Sequence, residues 1–492
     1  MMGATLSATG QTRGAPIGAT VQDLETRWRR LSPRVAVPPT PWVSHAISGA
    51  TLVLWLLLLA APFGLKGVFV WSAGLVYAAY DTVLLVFTFF ETLTLLRPAL
   101  PAPPELPRPT LAVLVAARNE AAVLPETLKA LLAQAQPPEE IVVVDDGSDD
   151  ATPEALLAAF GMAPPALGGL ALGPGPLRWL RLPPGGKARA MNAALGRIAS
   201  EVVVTVDADT RLESGAIAAM REAFARDPGL VAATGVITPV CAPTVLGRTL
   251  QWFQTYEYIR NFLSRYAWMR RDSLVLISGA FAGFRTAAVI EVGGFDPDCL
   301  VEDYELIHRL KRFGSNQHRS WRTAVVGGAR AQTEAPSTPM AFLRQRRRWF
   351  GGFLQTQYWY RDMVGNRRYG ELGLFHLPVK AADTVQPIYG LTAFGLLIWY
   401  LATGKIGVVF AISGVIGAKI ALDLAFHLWS ILLYRRWLGP GVSLSPFLAL
   451  AAAVAEPFTF QLLRHTAAMW GWWTFLTGGQ TWGRQSRAGA LG

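Results

Sequence analysis

The charge-free runs and their placement restrict this chain most. Ala46–Leu65 has no charge between His45 and Lys66, about the length that crosses a hydrocarbon core of roughly 30 Å as a helix. Gly67–Phe90 is a second run, broken only by Asp81. The joining segment Phe63-Gly64-Leu65-Lys66-Gly67 is so short that the two must form a hairpin. Toward the other end, Thr384–Gly404 and Ile406–Tyr434 repeat the pattern, the latter ending at Arg435-Arg436. Ser445–Trp473 is interrupted by Glu456-Pro457 and reads as one irregular span, two short ones, or a span plus an interfacial helix. About four to six crossings are expected, with an even number favoured.

Composition agrees with the runs. Of 492 residues, 52% are hydrophobic and 16% charged, against roughly 25% charged in soluble domains. The net charge of +11 is carried in good part by arginines flanking apolar segments: Arg27, Arg29, Arg30, Arg34, Arg435, Arg436, Arg484 and Arg487. That is the positive-inside bias of a membrane protein, and nucleic acid is not an expected partner. Cys241 and Cys299 are too few and too isolated for a disulfide framework or a zinc site, and read as reduced, packed thiols. Residues 1–42 read as a flexible cytoplasmic tail and 43–97 as an N-terminal transmembrane hairpin. Residues 373–478 hold the C-terminal spans, and 479–492 are a second tail.

Between the apolar ends the period changes. A Pro-rich linker, Pro98–Pro109, is followed by Leu111–Ala116, Ile141–Val144 and Val202–Val206, short apolar runs rich in β-branched residues. They alternate with the helical patterns Ala121–Ala135 and Lys187–Ala199. Alternation of this kind argues for a mostly parallel sheet covered on both faces, which binds ligands at the carboxyl ends of its strands. Residues 98–339 are therefore an α/β domain inserted between membrane segments. Gly161–Pro176 is a Gly/Pro/Ala loop without an assigned role.

Three acidic clusters stand where that architecture would present them. Asp145-Asp146-Gly147-Ser148 follows Ile141–Val144, Asp207-Ala208-Asp209 follows Val202–Val206, and Glu302-Asp303 opens the helical pattern Tyr304–Phe313. A sugar nucleotide carries a diphosphate whose charge rises as it leaves, and carboxylates holding a hard divalent cation can stabilise that charge. A carboxylate remote in sequence can deprotonate an acceptor hydroxyl. Each cluster alone also fits a capped turn or a helix start; the series in order does not. Gly185-Gly186-Lys187, a glycine turn with lysine at a helix start, is a diphosphate site or a solvated loop. In Gln345-Arg346-Arg347-Arg348-Trp349, an amide, a guanidinium and an indole at i, i+3 and i+4 share one helical face. Residues 340–372 read as an amphipathic interface segment, with Arg344, Arg346 and Arg347 on the inner leaflet.

Asp-Asp-Gly, Asp-Ala-Asp, Glu-Asp and Gln-x-x-Arg-Trp, in this order between membrane segments, resemble family 2 glycosyltransferases of the cellulose, hyaluronan and poly-N-acetylglucosamine synthase type. Ala117-Arg118-Asn119-Glu120 is similar to that family's first nucleotide-contacting loop. The resemblance implies a GT-A, Rossmann-like nucleotide-sugar-binding fold and an inverting, metal-dependent hexosyltransferase in the inner membrane with a cytoplasmic catalytic domain. It implies a UDP-sugar donor, with Glu120, Asp145, Asp146, Lys187 and Asp207 on the donor and Asp207 with Asp209 on Mg²⁺ or Mn²⁺. Asp303 would be the general base, and Gln345, Arg348 and Trp349 would bind the acceptor and the diphosphate.

A processive synthase that extrudes a glycan is the leading expectation, with membrane lipids and accessory export proteins as further partners. Transfer to a lipid such as diacylglycerol and a non-catalytic membrane scaffold are the alternatives. Val301 stands where cellulose synthases carry Thr, which points to a product other than cellulose. Lys419 and Asp423, i and i+4 within an apolar run, form an ion pair or line a polar channel, and Asp81 has no evident partner.

Overall fold

The computed structural model describes residues 19–97, 107–438 and 445–478. The linker residues 98–106 and the tail residues 1–18 and 479–492 lie outside the described residues. Three helices come first: α1 (Val21–Leu31), α2 (Trp42–Gly64) and α3 (Ser72–Thr92). The middle of the chain then runs β1 (Leu111–Ala117), α4 (Leu124–Leu132), β2 (Glu140–Asp146), α5 (Thr152–Phe160), β3 (Leu170–Leu172), β4 (Leu177–Leu182), α6 (Lys187–Leu195) and β5 (Val202–Asp207). It continues through β6 (Thr210–Leu212), α7 (Ala216–Arg226), β7 (Leu230–Val240), α8 (Val245–Arg270), β8 (Phe281–Arg285), α9 (Thr286–Glu291), α10 (Glu302–Asn316) and β9 (Arg322–Glu334). The last helices are α11 (Pro339–Trp359), α12 (Leu377–Ala402), α13 (Ile406–Leu438), α14 (Pro446–Ala455) and α15 (Phe460–Leu476).

Among the described residues nine strands form one sheet in the order β3-β4-β2-β1-β5-β8-β7-β9-β6. One half is parallel: β1 pairs with β2 and β5, and β2 with β4. Its strands are buried along almost their whole length, as strands covered on both faces must be. The register sets Ala117 beside Asp145 and Ala116 beside Asp207, so three candidate loops leave one carboxyl edge together. The other half departs from the mostly parallel expectation. β8 runs antiparallel to both β5 and β7, which makes the sheet mixed. The Gly161–Pro176 stretch is not all loop either, since β3 hydrogen-bonds antiparallel to β4.

The flexible tail expected over residues 1–42 is overturned for its described part. Thr20 and Asp23 form a capping box at the start of α1, satisfying two otherwise orphaned N–H groups. Leu24 and Trp28 are buried at 1% and 4% exposure, each worth about 1.5–3 kcal/mol. Arg34 then pairs with Asp296 at 3.1 Å and Asp298 at 3.0 Å, tying the segment to the loop before α10. The signal was legible as Thr-x-x-Asp ahead of Leu24 and Trp28, but a short amphipathic helix is stable only once it has a surface to pack on.

Among the described residues four helical segments are long and apolar enough to cross a membrane: Trp42–Gly64, Gly67–Leu96, Leu372–Ala402 and Ile406–Leu438. Phe447–Phe458 with Phe460–Leu476, bent by 47° at their junction, would add a fifth. The break falls at Thr459, two residues after Pro457, which cannot continue the helical hydrogen bonds. Asp81 also gains a partner: Lys419 on α13 lies 2.6 Å from it and also pairs with Asp423.

Candidate active site

The parallel edge of the sheet arranges the first set of candidate groups. β2 ends at Asp146, whose carboxylate does not point to open solvent. Its Oδ1 accepts from Gly185 N at 2.7 Å, and its Oδ2 from Gly186 N at 2.9 Å. The aspartate thus holds the glycine turn that launches α6 and presents Lys187. Gly186 has φ +94° with ψ 152°, a region essentially closed to residues with a Cβ. Asp145 is separated from its neighbour. Its side chain is fully buried, Oδ1 accepts from Ser148 N at 2.8 Å, and Oδ2 has no hydrogen-bond partner. It closes the turn and stays off the cavity wall. The first loop is braced against that turn through Asn119, whose N–H donates to Ser148 Oγ at 3.0 Å and whose Nδ2 donates to Asp149 Oδ1 at 2.6 Å. Glu120 is buried beside it.

Lys187 connects two of the acidic clusters. Its Nζ lies 2.5 Å from Asp207 Oδ1 and 3.4 Å from Glu302 Oε1. Burial works against its charge, yet Asp207, Glu302 and Asp303 outweigh that cost and hold its pKa above the ordinary value. Asp303 keeps more exposure than Glu302, which is buried in the pair with Lys187. Asp303 Oδ2 accepts from Gly279 N at 2.6 Å and Oδ1 from Tyr304 N at 2.8 Å. A Cβ on Gly279 would fall 2.8 Å from that Oδ2, so only glycine lets the backbone approach the carboxylate this closely. Burial, then the charge of Glu302, push the Asp303 pKa up to about 6 against the pull of Lys187 and the two backbone N–H groups.

Asp207 and Asp209 flank Ala208 where β5 ends, and both line the same cavity. Asp209 is 4% exposed, with the hydroxyls of Thr210 and Thr333 each 3.4 Å from its Oδ1. Hard oxygen donors of this kind suit Mg²⁺ or Mn²⁺, which take one or two carboxylates and complete their shell with phosphate oxygens and water. Among the described residues no group of three or more His, Cys, Asp and Glu side chains could hold a metal by itself. A cation here would draw its remaining ligands from the donor.

On α11, Gln345, Arg348 and Trp349 all reach this cavity. Arg348 Nη1 donates to Leu300 O at 3.2 Å, bracing the helix against the loop before α10. Gln345 Oε1 is buried with no hydrogen-bond partner. Arg346, expected on a lipid leaflet, instead lines the cavity. Arg346 pairs with Glu257 at 2.6 Å and stacks its guanidinium 4.2 Å from the Trp349 ring centre. Arg347 sits 4.6 Å over Trp470. Arg344 alone of the three is exposed. The cavity, about 1390 Å³, runs from the sheet edge past α11 and on between the apolar helices to Asp81, Lys419 and His465. Glu257, Arg265 and Arg346 belong to it and were not picked out as site residues in the sequence, where no spacing sets them apart.

Comparison with known proteins places this geometry. The family described as glycosyltransferase like family 2 matches residues 107–352. A poly-beta-1,6-N-acetyl-D-glucosamine synthase of Staphylococcus epidermidis is 28% identical over 279 residues, 56% of this chain and 62% of that protein. The synthase of the same name from Staphylococcus aureus strain COL is 28% identical over 245 residues, 49% of this chain and 53% of that protein. The chain thus spans less than two thirds of the length of these curated relatives. A mannosyltransferase from Pyrobaculum calidifontis, solved with GDP-Man and Mn²⁺, superposes with a TM-score of 0.50 at 21% identity, over 84% of this chain and 99% of that one. That likeness speaks to the fold. With half its length matched and the acidic series on one sheet edge, the chain belongs to the glycosyltransferase-like family 2.

Proposed function

We propose that the protein transfers a hexose from a UDP-sugar to a growing glycan, with inversion, at a cytoplasmic site in the inner membrane, and that the product leaves between its own membrane helices. The observation that carries this reading is the single cavity joining Lys187, Asp207, Asp303 and Trp349 to the apolar helices. Asp303 takes the proton of the acceptor hydroxyl; the freed oxygen attacks the anomeric carbon as its bond to the diphosphate breaks. A carboxylate raised to about 6 is a stronger base than a free one yet mostly ionised at neutral pH. Lys187 and Arg348 meet the charge growing on the departing diphosphate. A divalent cation bound by Asp207 and Asp209 would neutralise part of the same charge as a Lewis acid. Trp349, backed by Arg346, offers an indole for the acceptor sugar to stack on.

Apolar residues line the same cavity, Leu84 and Leu85 among them. They favour, as a second reading, a single transfer to a membrane lipid. The test is incubation of the full-length protein in lipid with a panel of radiolabelled UDP-sugars, followed by organic extraction. Label retained in a water-soluble polymer supports the synthase, and label in the organic phase supports the lipid transferase. Chelator should abolish transfer and Mg²⁺ or Mn²⁺ restore it. No labelled product from any UDP-sugar would overturn the reading.

A further inference from the structure

Charged groups deep in this cavity are paired almost throughout. Lys187 has Asp207 and Glu302, Arg260 has Glu456, Arg346 has Glu257, and Arg464 has Glu257 and Glu456. Lys380 has Asp383, and Lys419 has Asp81 and Asp423. Arg265 shows no such pair among the described residues. It lies on α8 and lines the cavity, yet no carboxylate stands within ion-pair distance among the described residues, and its Nε and Nη1 are buried with no hydrogen-bond partner. Its guanidinium rests 4.7 Å from the Phe262 ring centre. Desolvation, offset only weakly by the fields of Tyr258 and Asp303, draws its pKa down to about 10, so it stays charged at neutral pH.

An unpaired buried cation costs several kcal/mol, and a helix gains nothing from carrying one. Arg265 stands on a different element from the sheet-edge groups Lys187, Asp207 and Asp209. Those three come from the sheet edge, whereas α8 packs on α3 and the turn after it, where Phe87 meets Trp268 at 4.5 Å and Thr94 meets Tyr266 at 3.1 Å. On that side Leu84, Leu85 and Thr88 share the cavity with Arg265 and the base. A guanidinium held there with no carboxylate beside it leaves its positive charge for a phosphate or carboxylate in the cavity to meet.

We propose that Arg265 is an anion-binding residue for the acceptor, and that the acceptor carries a phosphate or carboxylate group close to the hydroxyl being glycosylated. The proposal rests on the reading of Asp303 and Trp349 as the acceptor end of the site. It is tested by binding rather than by transfer, so the two can fail separately.

The full-length protein in phosphatidylcholine nanodiscs, saturated with UDP to block the diphosphate subsite, is titrated calorimetrically with two matched pairs. Farnesyl phosphate is set against farnesol, and trigalacturonate against its methyl ester. One acidic member should bind about 10- to 100-fold more tightly than its neutral partner. The pair that discriminates identifies the source of the anion, lipid or glycan. Arg265→Gln should collapse the ratio to near one, and Arg265→Lys should keep most of it. Equal binding within both pairs by the wild-type protein overturns the proposal, as does a ratio that survives Arg265→Gln. If Arg265→Gln weakens UDP itself by a similar factor, Arg265 belongs to the donor and the proposal falls. A preserved ratio in a protein that transfers no sugar would instead count against the proposed reaction alone.

Discussion

The two walls of the cavity hold their charges in different ways. At the sheet edge and the start of α10, carboxylates are held largely by backbone: Asp146 by Gly185 and Gly186, Asp303 by Gly279 and Tyr304. At the helical wall, charges are held by other charges on different helices. A chain of pairs runs from Arg346 through Glu257, Arg464 and Glu456 to Arg260, and a second joins Asp81, Lys419 and Asp423. Backbone donors are fixed by the strands and turns that carry them, so the first wall is pre-organised. Side-chain pairs exist only while the helices keep their spacing, so the second wall reports on helix packing. A sheet edge can therefore fix reacting atoms, while a helical wall can follow a passing ligand.

This contrast can be broken by substitution. The largest effect should come from Asp303→Asn, which keeps shape and one of the two backbone hydrogen bonds but removes basicity. Turnover should fall by roughly 10²–10⁴ while UDP affinity, read by calorimetry, stays close to wild type. If Glu302→Gln were the inactive variant instead, the two roles would be exchanged.

On the helical wall, Lys419→Met leaves Asp81 and Asp423 facing each other with no cation between them. The expected loss is about 3 kcal/mol of stability, read as a lowered Tm in detergent. The triple variant Asp81→Asn, Lys419→Met, Asp423→Asn should recover most of it. An unchanged Tm in the single variant would show that these helices are held by apolar packing alone.

Gly186→Ala tests the backbone wall. A Cβ at φ +94° costs about 1–3 kcal/mol, and the turn can relieve it only by moving Lys187 away from Asp207. KM for the donor should rise by about fivefold or more, with acceptor binding unaffected. A change confined to the acceptor would contradict the division between the walls.

The smallest effect is on the pH profile. With the Asp303 pKa raised to about 6, the base is ionised above that pH and protonated below it. Activity should be flat at neutral pH, halve near pH 6, and drop about tenfold per unit below. In Glu302→Gln the second-largest cause of the rise is removed, and the acid limb should move to lower pH.

Much of the catalytic half was legible because its signals are local. An apolar β-branched run ending in Asp-Asp or Asp-Ala-Asp states both the strand and the edge where its carboxylates emerge, and β2 and β5 end at those residues. What could not be read is which carboxylate faces the cavity. Asp145 and Asp146 are neighbours of identical chemistry; the strand's alternation buries one and turns the other toward the Gly185-Gly186 turn. The antiparallel β8 was hidden as well, because strand direction depends on the path of the chain and not on the composition of the strand. α1 was missed because its stability comes from the surface it covers.

The sequence by itself determined the apolar spans, the strand-end acidic series and the Gln345–Trp349 helix face, since each follows from periodicity or adjacency within about 20 residues. Only the tertiary structure decided the pairings of Asp81 with Lys419, of Glu257 with both Arg346 and Arg464, and the absence of any such pairing at Arg265 among the described residues. Those partners lie on separate helices, and whether a buried charge has one depends on how those helices pack, a distance that no local pattern encodes.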